Sequence, residues 1–232
     1  MRRTFAEIVA SAGVNALQQY RILYNLFTEP FSDENGLLRE LRSWVFIEWS
    51  AANKLTQDLN YPSNMRWAEA LDAMDRLYGR PDLAAKARKA RESIRQQSWT
   101  GSWFCDNACF EPNGSLKTTG FCTETCQYYA YYFKTVTPEA QAGLWNVLLK
   151  EFGPNRRLTH KYAEIWPSNA FIGNYLRLEL LSRTGHIRQL LDEMKGYFLY
   201  MAERTGTLWE HNGTQASCDH GFASHVVVAL YR

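Results

Sequence analysis

No apolar run in the 232 residues approaches the length of about 18 that a membrane-spanning helix needs, so no transmembrane segment is expected. Charge of one sign is equally scarce. With 26 Lys and Arg against 24 Asp and Glu the net charge is only +2. Arg2-Arg3 and Arg156-Arg157 are isolated pairs rather than a basic face, which argues against a nucleic-acid partner. No nucleophile elbow, phosphate-binding loop or dinucleotide fingerprint is present. No two of the 5 histidines stand at metal-ligand spacing with a carboxylate, so neither a catalytic metal nor a cofactor is expected. Met1-Arg2-Arg3 is followed by Glu7 rather than by an apolar signal segment, which implies a cytoplasmic location if the chain is complete. Low-complexity tracts, linkers and exact repeats are missing too, and a single domain over 1–232 is the expectation.

Aromatic side chains are abundant: 8 Trp, 13 Tyr and 12 Phe make up 14% of the chain. Such rings fill cores, and they also line sugar-binding clefts by packing on pyranose C–H faces. The remaining pattern is helical almost throughout. Val14 to Phe27 has apolar residues at helical spacing, and so has Asn64 to Tyr78, with Ser63 or Asn64 as the N-cap and Gly79 as the stop. Pro81 opens a helix over Asp82 to Gln97, and Glu124 to Phe133 is a dense aromatic helix. A start at Thr137-Pro138-Glu139 runs to Glu151, Ser168-Asn169 caps a helix through Ser182, and further helices cover 186–203 and Asp219 to Tyr231. Thr28 to Leu59, Trp99 to Thr119 and Asn155 to Pro167 interrupt this rhythm as long segments, the first with a short helix around Phe46 to Leu59. Loops of that length in a helical domain tend to be functional. About eight helices in consecutive hairpins predict an all-α fold, and the lack of a fixed repeat favours an α/α toroid over a solenoid.

The 5 cysteines form two i, i+4 pairs, Cys105/Cys109 and Cys122/Cys126, with Cys218 left over. That spacing is one residue too long for a zinc knuckle. Unpaired thiols, a disulfide and a metal site all remain open on this pattern.

Glu210 is the candidate catalytic group. It follows Trp209 in Gly206-Thr-Leu-Trp-Glu210, on a loop after a helix that should stop at Gly206. A carboxylate there suits a general base or acid, although a helix-end ion pair fits the same position. His220, in Ser217-Cys-Asp-His220-Gly, is placed to orient that carboxylate or bind a hydroxyl, or else to pack in the first turn of the last helix. Glu48 lies between Trp44 and Trp49 in Trp44-Val-Phe-Ile-Glu-Trp49, where it suits a sugar subsite or a charge on a short helix. His225 and His211 carry weaker signals.

These residues resemble the C-terminal part of the catalytic domain of the bacterial α-L-rhamnosidases, glycoside hydrolase family seventy-eight. Trp44 to Trp49 is similar to the family's Phe-x-Asp-Trp segment, and Phe121 to Phe133 to its Gln- and Ala-containing helix. Asn169-Ala-Phe-Ile-Gly-Asn-Tyr-Leu resembles the helix leading to the last hairpin. Gly206 to Glu210 resembles the Gly-x-Thr-x-Trp-Glu motif, whose glutamate is the general base of an inverting hydrolysis. Ser217 to Gly221 resembles the segment whose histidine contacts the sugar. The resemblance implies a six-hairpin toroid and a carbohydrate substrate, with Glu210 catalytic and Trp209, His220, Trp44, Glu48 and Trp49 binding. Three features depart from the family: a shorter spacing from Glu210 to His220, a glutamate at 48 for the usual aspartate, and no Asp-Gly-Pro-Arg-Asp-Glu-like motif to supply the general acid. About four hairpins fit in this length, an incomplete ring whose open edge would call for a preceding part of the catalytic domain or for self-association. A non-catalytic carbohydrate-binding or interaction module derived from such an enzyme is the alternative reading.

Overall fold

The computed structural model describes residues 32–41, 45–54, 56, 58–213 and 215–231. The helix expected over Val14 to Phe27, and Trp44, lie outside them. Among the described residues seven α-helices follow in order: α1 Tyr61–Tyr78, α2 Pro81–Ser98, α3 Glu124–Tyr132, α4 Ala142–Glu151, α5 Arg156–Thr159, α6 Ile172–Arg183 and α7 Ile187–Thr205. A 3-10 helix, Gly221–Tyr231, closes the chain.

Local chemistry sets most boundaries. Asn60 caps α1 by accepting from the Ser63 N–H at 2.9 Å, and Gly79 ends it in the left-handed conformation at φ 62°. The cap is therefore three or four residues earlier than Ser63 or Asn64. Asn64 instead exchanges hydrogen bonds with the backbone of Leu38, at 2.7 and 2.9 Å, tying the preceding segment to the helix. Thr123 caps α3 by accepting from Cys126 N–H at 3.0 Å, and Gly206 ends α7 at φ 75°.

Five further expectations need correction. The short helix around Phe46 to Leu59 is only a 3-10 turn, Ala51–Asn53, because Ser50 and the side chains of Glu48 and Asn53 take the local backbone donors. Trp99 to Thr119 holds a hairpin of β2 Asn107–Phe110 and β3 Leu116–Thr118, with β1 Leu59–Asn60 on its other edge. The helix after Pro138 starts late, at Ala142, and the one after Asn169 at Ile172 without a side-chain cap of its own. Asn155 to Pro167 contains α5 and a short strand, β5 Ile165–Trp166, parallel to β4 Cys122–Thr123.

The packing is that of an α/α toroid. The elements α1, α3, α6 and the terminal 3-10 helix pack each on the next as an inner row, while α2 and α7 back α1 and α6 from outside. Burial agrees with this order: eight of the nine residues of α3 are buried, and α6 is buried on most of its circumference, with polar side chains such as Gln127, Asn174 and Arg177 enclosed as well. On α7 the buried residues Leu190, Glu193, Tyr197 and Met201 recur at helical spacing on one face. Three helices are pinned by Arg177 of α6. It makes a paired bond to Glu193 of α7 at 2.5 and 2.7 Å, and its remaining nitrogen, Nη1, donates to Leu148 O at 2.6 Å and to the Tyr128 hydroxyl at 3.2 Å. Fully satisfied, such a buried charge fixes register; left half-satisfied it would cost several kcal/mol, about 3–5.

Candidate functional site

Three segments far apart in sequence converge at the N-terminal end of α6: residues 45–50, the lead-in Ser168 to Phe171, and the loop 206–220. Asn169 joins them. Its Nδ2 donates to Trp49 O at 2.5 Å, and its Oδ1 accepts from Asn212 N–H at 2.8 Å. The loop carrying Glu210 is braced by two backbone bonds of its own, Glu210 N–H to Ser217 O at 2.9 Å and His220 N–H to Leu208 O at 3.0 Å.

Glu48 and Gly173 build the floor. The Glu48 carboxylate is fully buried and accepts from the N–H groups of Trp49 at 3.0 Å, Ile172 at 3.2 Å and Gly173. It thus supplies the cap that α6 lacks from its own sequence, using orphan donors at the positive end of the helix. Burial pushes its pKa up to about 8, against the pull of the backbone N–H bonds. Expected as a subsite residue, Glu48 stands beneath the site, with its oxygens engaged by backbone.

Above that floor, Trp49 Nε1–H donates to Glu210 Oε1 at 3.0 Å. Trp49 is 37% exposed and Glu210 half-buried, so this carboxylate faces solvent while one of its oxygens is held. Rings surround the pair. Phe46 sits 4.9 Å from Trp49 and 5.9 Å from Phe171, His211 lies 6.1 Å from Trp49, and Phe171 meets His220 at 5.8 Å and Phe222 at 4.3 Å. His220 is half-buried, and its Nδ1 accepts from Phe222 N–H at 3.3 Å. In the neutral ring that bond leaves the proton on Nε2, which becomes a donor.

Trp209 points elsewhere. It is buried in an apolar cluster with Leu178, Tyr197 and Met201, its Nε1–H donates to Thr205 Oγ1 at 2.8 Å, and Tyr200 packs edge-on at 5.6 Å. Neighbours in sequence on an extended loop face opposite ways, so Trp209 anchors the loop whose next residue is presented to solvent. His225 is enclosed by Tyr175, Phe198 and Phe222, and burial lowers its pKa.

Asn169, Phe46, Phe171 and Phe222 belong to this end of the fold and carry little signal as site residues in sequence; Asn169 reads there as a helix cap. Arg156 and Arg157, the basic pair nearby, are engaged by carbonyls: Arg156 by Tyr162 and Ile165, at 2.7 and 2.9 Å, and Arg157 by Ser168 at 3.2 Å. They line a cavity of about 30 Å³ behind Asn169, room for one water. Among the described residues no three His, Cys, Asp or Glu side chains are grouped to hold a metal ion, and no helix is long and apolar enough to cross a membrane.

Among solved structures the chain is similar to a glycoside hydrolase family seventy-eight rhamnosidase of Bacillus sp. GL1, with a TM-score of 0.69 and 18% identity over 98% of this chain. The match covers 23% of that protein, so the chain spans about a quarter of its length. No protein-family model and no curated protein matches. At this identity the likeness is one of fold alone.

Proposed function

We propose that this chain is the base-bearing portion of an inverting glycoside hydrolase of α-L-rhamnosidase type, with Glu210 as the residue that deprotonates the attacking water. The hydrogen bond from Trp49 Nε1 to Glu210 Oε1 supports this reading most directly, since it spans 161 positions of sequence to hold a solvent-facing carboxylate in an aromatic surround. With Oε1 held, Oε2 takes the proton from water as that water attacks the anomeric carbon. Trp49 and Phe46 offer faces to the sugar ring, and His220 Nε2–H donates to a hydroxyl. Inversion needs a second carboxyl group roughly 6.5–9.5 Å away across the scissile bond. Glu48 is too buried to serve, and the sequence has no Asp-Gly-Pro-Arg-Asp-Glu-like motif, so the acid comes from outside these 232 residues.

The same missing acid favours a second reading, a carbohydrate-binding module that has lost catalysis. Hydrolysis of a 2,4-dinitrophenyl α-L-rhamnoside, whose leaving group departs without an acid, and calorimetric titration of rhamnose, by the wild-type chain and by Glu210→Gln separate the two. Catalysis by Glu210 requires turnover that falls by about 10²–10⁴ in the variant. Sugar binding without turnover in both supports the module. Equal turnover in both removes Glu210 from the mechanism.

A further inference from the structure

Spacing places Cys105 and Cys122 in different pairs, yet the fold brings their sulfurs within 3.4 Å of each other. Both are buried, at 0% and 5% exposure. The two backbones are already stitched on either side of the contact. Asp106 N–H donates to Phe121 O at 2.9 Å, and Thr123 donates to the Asp106 carboxylate through its N–H and its hydroxyl, each at 2.7 Å. Cys105 is fixed from the other direction, by its N–H to Ser98 O at 2.9 Å and its carbonyl to the Ser98 hydroxyl at 2.7 Å. The remaining thiols are placed differently: Cys126 turns its sulfur toward Cys105 O at 3.6 Å, Cys109 is half-buried and Cys218 exposed.

We infer that Cys105 and Cys122 form an oxidisable pair, a site that small peroxides convert to a disulfide linking the root of the β2–β3 hairpin to the start of α3. A disulfide needs its sulfurs at about 2.05 Å, so side-chain rotation alone has about 1.4 Å to close on a backbone that is already held together. The hydrogen bond from Cys122 lowers the pKa of the Cys105 thiol, which makes Cys105 the first nucleophile. Its thiolate attacks a peroxide oxygen, the O–O bond breaks, and hydroxide leaves with a sulfenic acid on Cys105. Cys122 sulfur then attacks that sulfur and displaces the hydroxyl, which departs as water with the Cys122 proton. Two thiols and one hydrogen peroxide become one disulfide and two waters. The link would lock Thr123, the cap of α3, and with it Glu124, whose carboxylate accepts from Ser168 N–H at 3.2 Å beside Asn169.

The test uses the full chain with Cys109→Ser and Cys218→Ser, which leaves three of the five cysteines. The native protein is treated with hydrogen peroxide, quenched, unfolded and titrated for thiols. One thiol is expected afterwards, with a mass lower by two hydrogens, three thiols again after dithiothreitol, and Tm higher by roughly 5–10 °C in the oxidised form. Adding Cys122→Ala removes the resolving thiol, so the loss of two hydrogens should vanish and Cys105 should stay a thiol or stop as an oxygen adduct. In the protein that keeps Cys122, three persistent thiols, a gain of oxygen mass, a crosslink to Cys126 or a lower Tm on oxidation would each overturn the inference.

Discussion

Gly173→Ala sets two physical effects against each other, and the structure decides the sign. Gly173 is the second residue of α6. Helix preference alone gives alanine an advantage of up to about 1 kcal/mol over glycine. A Cβ on Gly173, however, would overlap the Ser168 Cβ and come within 2.6 Å of the Glu48 carboxylate and 2.9 Å of the Ser168 hydroxyl. A Ser Cβ is fixed to its backbone and cannot swing aside, and Glu48 is held by three N–H groups. The lead-in or the helix must therefore move. Overpacking of this kind costs roughly 1–3 kcal/mol, and loss of the carboxylate cap adds about 1 kcal/mol. The net expectation is destabilisation by about 1–3 kcal/mol, a fall in Tm of roughly 2–12 °C for a chain of this size. Gly143→Ala is the control: it is also the second residue of a helix, α4, and a Cβ there meets nothing within 4 Å. It should stabilise by about 0.5–1 kcal/mol. Denaturant midpoints of both variants, read by far-ultraviolet circular dichroism, give the comparison. Gly173→Ala as stable as the wild type, or more so, would refute the proposed close packing of Gly173, Glu48 and Ser168.

Two further outcomes follow from buried groups. Burial raises the carboxyl pKa values of Glu48 from 4.5 and of Asp106 from 3.8, each to about 8. Between those limits the folded state binds more protons than the unfolded one. Stability should therefore be greatest at the acid end of the window, fall as pH rises toward 8 by up to about 1.4 kcal/mol per unit for each group, and flatten above it. Denaturant midpoints from pH 5 to 9 test this, and Asp106→Asn, which can keep the Thr123 contacts, should flatten part of the slope. Asn169→Ala strips partners from Trp49 O and Asn212 N–H and should cost about 1–3 kcal/mol. Hydrogen exchange should then quicken in residues 45–50 and 206–213 while α1 and α2 keep their protection; uniform protection would show that Asn169 does not couple the two segments.

Much of the helical skeleton was readable because its signals are local. Gly79 and Gly206 stop their helices at the expected places, Pro81 opens α2 as its position predicts, and the aromatic density of Glu124 to Phe133 marks an inner helix. The misreadings also have local causes. Around Phe46 to Leu59 the apolar spacing fits a helix, but Glu48, Ser50 and Asn53 spend their side chains on nearby or distant backbone donors. The hairpin in 107–118 is held by pairing with β1, which lies some 50 positions earlier, and no window of sequence contains both.

The site divides in the same way. Sequence alone identified Glu210 and Trp49 as residues of interest, because a carboxylate after a helix-stopping glycine and an aromatic cluster are patterns of neighbours. Only the tertiary structure decided that Trp49 reaches Glu210, that Glu48 caps α6 beneath them, that Trp209 faces the core, and that Cys105 meets Cys122 rather than Cys109. Caps, periodicity and turns are set by bonds across three or four residues, whereas these contacts depend on which inner helices pack side by side. That is a property of the packed hairpins together, and no single segment encodes it.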